Sequence, residues 1–441
     1  MKPLMQQIAA YVVASNHLSP PIVAGHVSRY DGHIVECDGF PTTIGSLCHV
    51  ETHDTDPVMA EIIGYRDNKN LLLVHEHDAQ ISVGARVVVV DQGYFIDVGP
   101  GLLGRAIDAL GHALDDGPPL KLSDSWPLGG KKINPLARRP VERHLDVGVR
   151  AINSLLTVGQ GQRLGIISGS GVGKSVLLGM MTRFTAADVV VVGLIGERAR
   201  EVASFAAEVF AGESSHRTVI VAEPADRSPL LRIRGANRAT AIAEYFRAQG
   251  KNVLLIMDSL TRVAHARREI GLALGEQPTS KGYPPSVVSM IPSLIERTGT
   301  GVSGEGSITS FYTVLADGDD ANDPVVDTAR AILDGHILLS RDQAQMGVYP
   351  AVDVPASISR VMADIVDADH AQAAQYFRRF VSLYMENRDL ILMGGYAPGQ
   401  DQDLDLAVQL WPQLMAHIQQ SFAHSADYET SVRTLKDLFN S

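Results

Sequence analysis

The residues of this chain best suited to chemistry close a glycine-rich run, S-G-S-G-V-G-K-S, from Ser168 to Ser175. In such a run the backbone N–H groups of Gly169, Ser170, Gly171, Val172 and Gly173 can turn inward and cradle anionic oxygens. A lysine placed like Lys174 reaches the β- and γ-phosphates of a nucleotide, and a hydroxyl placed like that of Ser175 can ligate magnesium. Val176 completes the phosphate-binding set and begins the helical run V-L-L-G-M-M-T-R. The apolar R-L-G-I-I precedes the loop, so the order is strand, loop, helix, as a phosphate cradle requires. One departure stands out: the general pattern wants glycine where this chain has Ser168.

Two carboxylates follow at the ends of apolar runs. Asp258 closes N-V-L-L-I-M-D, and a carboxylate there can serve a phosphate-bound magnesium, because ligands of an open parallel sheet bind beyond the carboxyl ends of its strands. A helix cap at Asp258 or Ser259 is the alternative. Glu197, in G-L-I-G-E-R-A-R-E, lies at a similar strand exit and is the candidate general base for a water attacking the γ-phosphate in line, with Arg198 balancing its charge. The alternative is a solvated helix start, since acidic residues favour a first turn.

The elements that must position these groups are legible in outline. Apolar strand-like runs at Leu164–Ile167, Val189–Ile195, Val219–Ala222, Val253–Met257 and Ile308–Leu315 alternate with helical patterns, which predicts an α/β parallel sheet with crossover helices. Short β-rich runs between Ile22 and Val90, broken by turn dipeptides such as Asp31-Gly32, predict a small β-barrel. Prolines 118, 119, 127, 135 and 140 make the stretch from Asp115 to Pro140 a long surface connection. Beyond Ile365 the pattern is helical, near Ala371–Asn387, Leu404–Phe422 and Tyr428–Phe439.

Bulk properties narrow the partners. A length of 441 residues implies several domains, and a formal net charge of −12 opposes binding to nucleic acid, which rests on clustered Lys and Arg. Cys37 and Cys48 have neither the spacing nor the company of a zinc site, and read as buried thiols. His75 and His77 would share a strand face, as a solvated pair or as metal ligands. No apolar run reaches the 18 or so residues of a membrane span, and no signal-peptide pattern opens the chain, so the expected location is the cytoplasm. Leu4, Ile8, Tyr11 and Val12 fall at helical spacing and suggest an amphipathic helix, packed on its own domain or on a partner.

In this order, with strands before and helices after, the motifs resemble the catalytic subunits of the rotary ATP synthases, and within them the flagellar type III export ATPases. The runs V-V-G-L-I-G-E-R, L-L-I-M-D-S-L-T-R, K-G-Y-P-P-S-V and Y-P-A-V-D-V-P-A-S-I-S-R carry the similarity, which is dense from Leu103 to Arg360. The resemblance implies a RecA-like ATPase core (94–364) between an N-terminal segment (1–21) with a β-barrel (22–93) and a C-terminal helical domain (365–441). It implies ATP and Mg2+, with Lys174 and Ser175 on phosphate and metal, Glu197 as the catalytic carboxylate and Asp258 at the metal. Arg360 matches an arginine finger that completes a neighbouring subunit's site, which implies a homohexamer. Tyr349 matches the aromatic residue that packs on adenine, with core packing as its alternative.

A small residue at Ser168 is similar to the export branch. The loop Asp317–Pro324 resembles one that faces a central axle, or is simply an acidic turn. The implied partners are a stator-like regulatory protein, a central stalk protein, the membrane proteins of an export gate, and export substrates with their chaperones, at the cytoplasmic face of the inner membrane. Three rivals remain: a virulence-type secretion ATPase, a non-catalytic nucleotide-binding subunit, which would lack Glu197, and a ring helicase, which would need basic and aromatic residues interleaved in the barrel.

Overall fold

The computed structural model describes residues 24–32, 34–52, 56–76, 79–315 and 323–439. The N-terminal helix, His77 and most of the Asp317–Pro324 loop lie outside the described residues. The chain forms two compact units, Met1–Tyr94 and Phe95–Ser441.

In the first unit six short strands alternate apolar and polar residues, and one apolar face is best buried by closing the sheet on itself. The strands β1 (Ala24–Tyr30), β2 (Ile34–Asp38), β3 (Leu47–Val50), β4 (Val58–Arg66), β5 (Lys69–Val74) and β6 (Arg86–Asp91) pair antiparallel into a closed barrel of order β1-β2-β5-β4-β3-β6. Val27, Val35, Val50, Ile62, Leu72 and Val87 fill it. Cys37 and Cys48 are free and wholly buried there, and burial pushes each thiol up to about 12. Both are inert at neutral pH, since the thiolate is the reactive form.

The second unit is built on a nine-stranded sheet. After β7 (Phe95–Val98), β8 (Arg105–Ile107) and β9 (Asp124–Pro127) come β10 (Arg163–Ser168), β11 (Val189–Ile195), β12 (Thr218–Glu223), β13 (Asn252–Asp258), β14 (Gly299–Thr300), β15 (Ser307–Leu315), β16 (Gly335–Leu339) and β17 (Val352–Ser359). The order is β17-β16-β10-β15-β13-β11-β12-β8, with β14 beside β15. The strands from β16 to β8 run parallel, while β17 is antiparallel. All seven residues of β11 are buried, because helices cover both faces of the sheet and leave no side for polar residues. The edge strand β17 carries Pro355, which lacks a donor and is tolerated only where one side needs none. That proline and its alternating polar residues hide the strand from a search for apolar runs.

The helices Ala368–Leu392, Gln402–Ile418 and Tyr428–Asp437 share one core with the sheet: Phe377, Leu414 and Leu435 pack in the cluster that holds Leu177, Val192 and Ile256. His417 sits in that junction, 5% exposed, with Nε2 2.9 Å from Ser154 Oγ. Burial, with Arg150 adding to it, lowers its pKa to about 4. A histidine kept neutral in the fold but protonated in the unfolded chain favours unfolding in acid. Stability is therefore complete above the ordinary value of 6.5 and is lost as pH falls from there towards 4, by about 3 kcal/mol at most. Thermal melting across that window should show the loss, and His417→Gln should flatten it; an unchanged slope would remove His417 as its source.

The stretch from Asp115 to Pro140 is more than a surface connection. β9 pairs with β7, and Trp126 is buried, its Nε1 donating to Glu244 Oε2 at 3.1 Å while Lys131 Nζ stands 3.8 Å over the ring. Glu244 is fully buried and held on two sides by Arg297, at 3.0 Å from both Nε and Nη2. One large aromatic residue with a buried acceptor outweighs the local proline content. No helix among the described residues is long and apolar enough to cross a membrane.

Candidate active site

The register of the parallel strands brings the motifs to one edge. Ser168 at the end of β10 pairs with Leu315 of β15, and Asp258 at the end of β13 pairs with Leu194 of β11, three residues before Glu197. From Ser168 the chain enters the glycine loop and then the helix Lys174–Phe184. Gly171 and Gly173 have left-handed φ of +77° and +85°, which only glycine adopts without strain.

Lys174 is the centre of the cluster. Its Nζ hydrogen-bonds Asp258 Oδ1 and stands 3.5 Å from Glu197 Oε1. All three side chains are nearly buried, at 12%, 5% and 13% exposure, so the charges act through little water. Thr313 Oγ1 donates to Asp258 Oδ1 at 2.6 Å and fixes the carboxylate from β15. Ser259 is the cap of the following helix, its Oγ accepting from Arg262 N at 3.3 Å. That leaves Asp258 free of the capping task and turned towards Lys174.

Glu197 precedes the helix Ala199–Phe210 and does not belong to its first turn. Burial raises its pKa, the neighbouring Asp258 charge raises it further, and Lys174 and Arg262 oppose them. A carboxyl held above its ordinary range is better matched to proton transfer near neutral pH. Beside it a cavity of about 290 Å³ is lined by Ser175, Val176, Glu197, Arg200 and Asp258. Ser170, Gly171, Ser175 and Val176 are exposed, and Val172 is buried and anchors the loop.

Arg198 corrects the sequence reading. Its guanidinium is 77% exposed and pairs with Glu201 at 3.0 Å, away from Glu197. The cation whose charge bears on Glu197 with Lys174 is Arg262, whose stem packs 2.6 Å from where a Cβ on Gly196 would stand and whose buried Nε makes no hydrogen bond. Its signal was present in the sequence: a cation four residues after Asp258, in the first turn of the helix that leaves the same edge.

Tyr349 is 44% exposed, with ring carbons 3.2 Å from the Cβ position of Gly173, so its ring lies on the loop and not in the core. Arg360 does not join the cluster. β17 runs antiparallel to β16, and Ser359 pairs with Gly335 while Val352 pairs with Leu339, the register neighbour of Ser168. Arg360 is exposed at the opposite edge, its backbone N–H donating to Asp334 O at 3.0 Å. Four residues of strand, about 13 Å, separate the two levels.

Residues 148–359 match the model of the ATP synthase alpha/beta family, nucleotide-binding domain, and residues 366–437 match the T3SS EscN ATPase C-terminal domain. Over 436 residues the chain is 48% identical to the flagellum-specific ATP synthase of Pseudomonas aeruginosa, covering 98% of this chain and 97% of that one. The chain belongs to this ATPase family. Another member, the flagellum-specific ATP synthase of Salmonella typhimurium, is 49% identical over 425 residues, 94% of this chain and 93% of the relative. Among solved structures of the family, the assembled ATPase EscN of the enteropathogenic E. coli type III secretion system superposes with a TM-score of 0.88 at 40% identity, covering 94% of this chain and 99% of that one. EscN in complex with its central stalk EscO gives 0.86 at 39% identity, with the same coverage. The barrel, the RecA-like core and the C-terminal helices expected from the sequence are the architecture of this family.

Proposed function

We propose that the chain hydrolyses magnesium-bound ATP as a homohexamer and so energises the export of flagellar proteins, releasing substrates from their chaperones and unfolding them at a membrane export gate. The observation that carries the hydrolytic part is Lys174 held between Asp258 and Glu197 at the mouth of the glycine loop. Arriving phosphates compete for Lys174, which frees both carboxylates for their tasks. Glu197 takes a proton from the attacking water, and Arg262 beside it supplies positive charge where the γ-phosphate would lie. Thr313 keeps Asp258 in one orientation throughout.

The Ser175 hydroxyl and the Asp258 carboxylate are the hard oxygen donors that magnesium takes. Among the described residues no group of three or more His, Cys, Asp or Glu could hold a metal by itself. That fits an ion that completes its shell with substrate phosphates and water. Bound there, magnesium neutralises charge that develops on the phosphate oxygens. Tyr349, exposed beside Gly173, offers a face for adenine.

The ring is the arrangement in which Arg360 would act. Its position on the far edge of the sheet suits a group that serves a neighbour, and EscN is described as assembled and in complex with a central stalk. A stalk protein and a stator-like regulator are the partners of this reading, with the ring in the cytoplasm at the inner membrane. The flagellar branch is favoured over a virulence system because relatives with flagellar names reach 48% and 49% identity at near-full coverage, against 40% for EscN.

Deleting the gene should abolish secretion of hook and filament proteins, with restoration by the wild-type gene and none by Lys174→Ala. Intact flagella in the deletion strain, with loss of host-directed secretion, would move the protein to the virulence branch.

A further inference from the structure

Gly169 does not have a left-handed φ, so backbone conformation does not demand glycine there, as it does at Gly171 and Gly173. Space does. A Cβ on Gly169 would stand 2.6 Å from Arg341 Nη2, 2.8 Å from Nε and 3.1 Å from Cζ. Cζ is the farthest of the three atoms, so the guanidinium turns its edge, Nε and Nη2 side by side, towards the loop.

The register explains how Arg341 arrives. Leu339, the last residue of β16, pairs with Ser168, so both strands leave the sheet at one level and Arg341 emerges beside Gly169. Ser340 pins the exit: its N–H donates to Ala351 O at 2.8 Å, and its Oγ accepts from Gln343 N at 3.3 Å. The excursion from Ser340 to Ala351 then touches the phosphate loop twice, with Arg341 on Gly169 and Tyr349 on Gly173. A cavity of about 280 Å³ opens there, lined by Ser168, Gly169, Arg330, Arg341, Asp342 and Asp353, and the buried Oγ of Ser168 makes no hydrogen bond.

We propose that Arg341 is a positioning residue for ATP binding: the Nε–Nη2 edge of its guanidinium braces the phosphate loop at Gly169 and holds the loop amides in their binding arrangement. The inference rests on the reading of Ser168–Ser175 as the ATP phosphate loop. A loop that loses this contact loses affinity, while the chemical step, carried by Glu197 and its neighbours, is spared.

The test uses the full-length chain and a fluorescent ATP analogue. Arg341→Ala is expected to weaken binding about tenfold and raise KM in step, with kcat kept within about threefold and the melting temperature without nucleotide unchanged. Arg341→Lys is expected not to rescue, because an ammonium lacks the planar fork that sets two N–H groups side by side against the loop. Gly169→Ala alone should show the same loss, since its methyl displaces the guanidinium, but should add nothing in the Arg341→Ala background. Wild-type affinity in Arg341→Ala, a parallel fall in melting temperature, full rescue by lysine, or a Gly169→Ala penalty undiminished without Arg341 would each overturn the proposal. Lys174→Ala separates the two readings: if it binds the analogue normally, the phosphate-loop reading falls, and if it alone abolishes binding, only the brace falls.

Discussion

Glu197→Gln is expected to keep ATP bound and to cut turnover by about 10² to 10⁴, the usual contribution of a positioned general base. The substitution preserves the shape of the side chain and removes only the basic oxygen, so the glycine loop and its contact with Lys174 remain. Equilibrium binding of an ATP analogue beside steady-state hydrolysis checks both halves. Normal turnover would remove Glu197 from the role of base, and lost binding would make it structural. The pH profile adds a second reading. Burial and the Asp258 charge raise the Glu197 pKa, so its basic form is depleted as pH falls through a value above the ordinary carboxylate range. The acid limb of kcat/KM should lie correspondingly high in the wild type and disappear from the residual activity of the glutamine variant.

Arg360→Ala carries the other large effect. A finger that meets developing charge on the transferred phosphoryl group matters by about 10³ to 10⁵ in rate, and Arg360 cannot act on its own chain's loop from the opposite edge of the sheet. Turnover should therefore collapse in rings made only of Arg360→Ala subunits, and equally in rings made only of Lys174→Ala subunits. Mixing the two should restore activity. A site works where an Arg360→Ala subunit supplies the loop and its Lys174→Ala neighbour supplies the finger, which holds for about a quarter of the sites in a randomly mixed ring. No rescue in verified mixed rings would place Arg360 outside the neighbour's site. Binding of ATP should survive in Arg360→Ala, because the loop, Lys174 and Asp258 are untouched.

The Arg341 guanidinium at Gly169 and the half-exposed Tyr349 at Gly173 link these chemical groups to the rest of the chain. Tyr349 O also accepts from Gln420 N at 2.9 Å, at the end of the helix Gln402–Ile418. Arg183, on the helix that follows the phosphate loop, donates to Phe422 O at 2.8 Å and pairs with Glu208 at 3.2 Å. The segment after the helix Gln402–Ile418 thus bonds to Tyr349 and to the helix that follows the phosphate loop.

By itself the sequence determined the parts whose signal is local. Continuous apolar runs located β10, β11, β12, β13 and β15 to within a residue or so at each end, because a strand covered on both faces has no polar positions. The order strand, glycine loop, helix located Lys174 and Ser175, and the strand exits located Asp258 and Glu197. The tertiary structure decided what depends on direction and neighbours. Adjacent in sequence, Glu197 and Arg198 point apart because the helix begins at Ala199, while the charge of Arg262, sixty-five residues from Glu197, acts on it. Gly169 meets an arginine that arrives from β16, and Trp126 turns a proline-rich connection into a paired strand because Glu244 waits beneath it. Spacing along the chain reports which face or end of an element a residue occupies, whereas register between strands distant in sequence decides which groups meet.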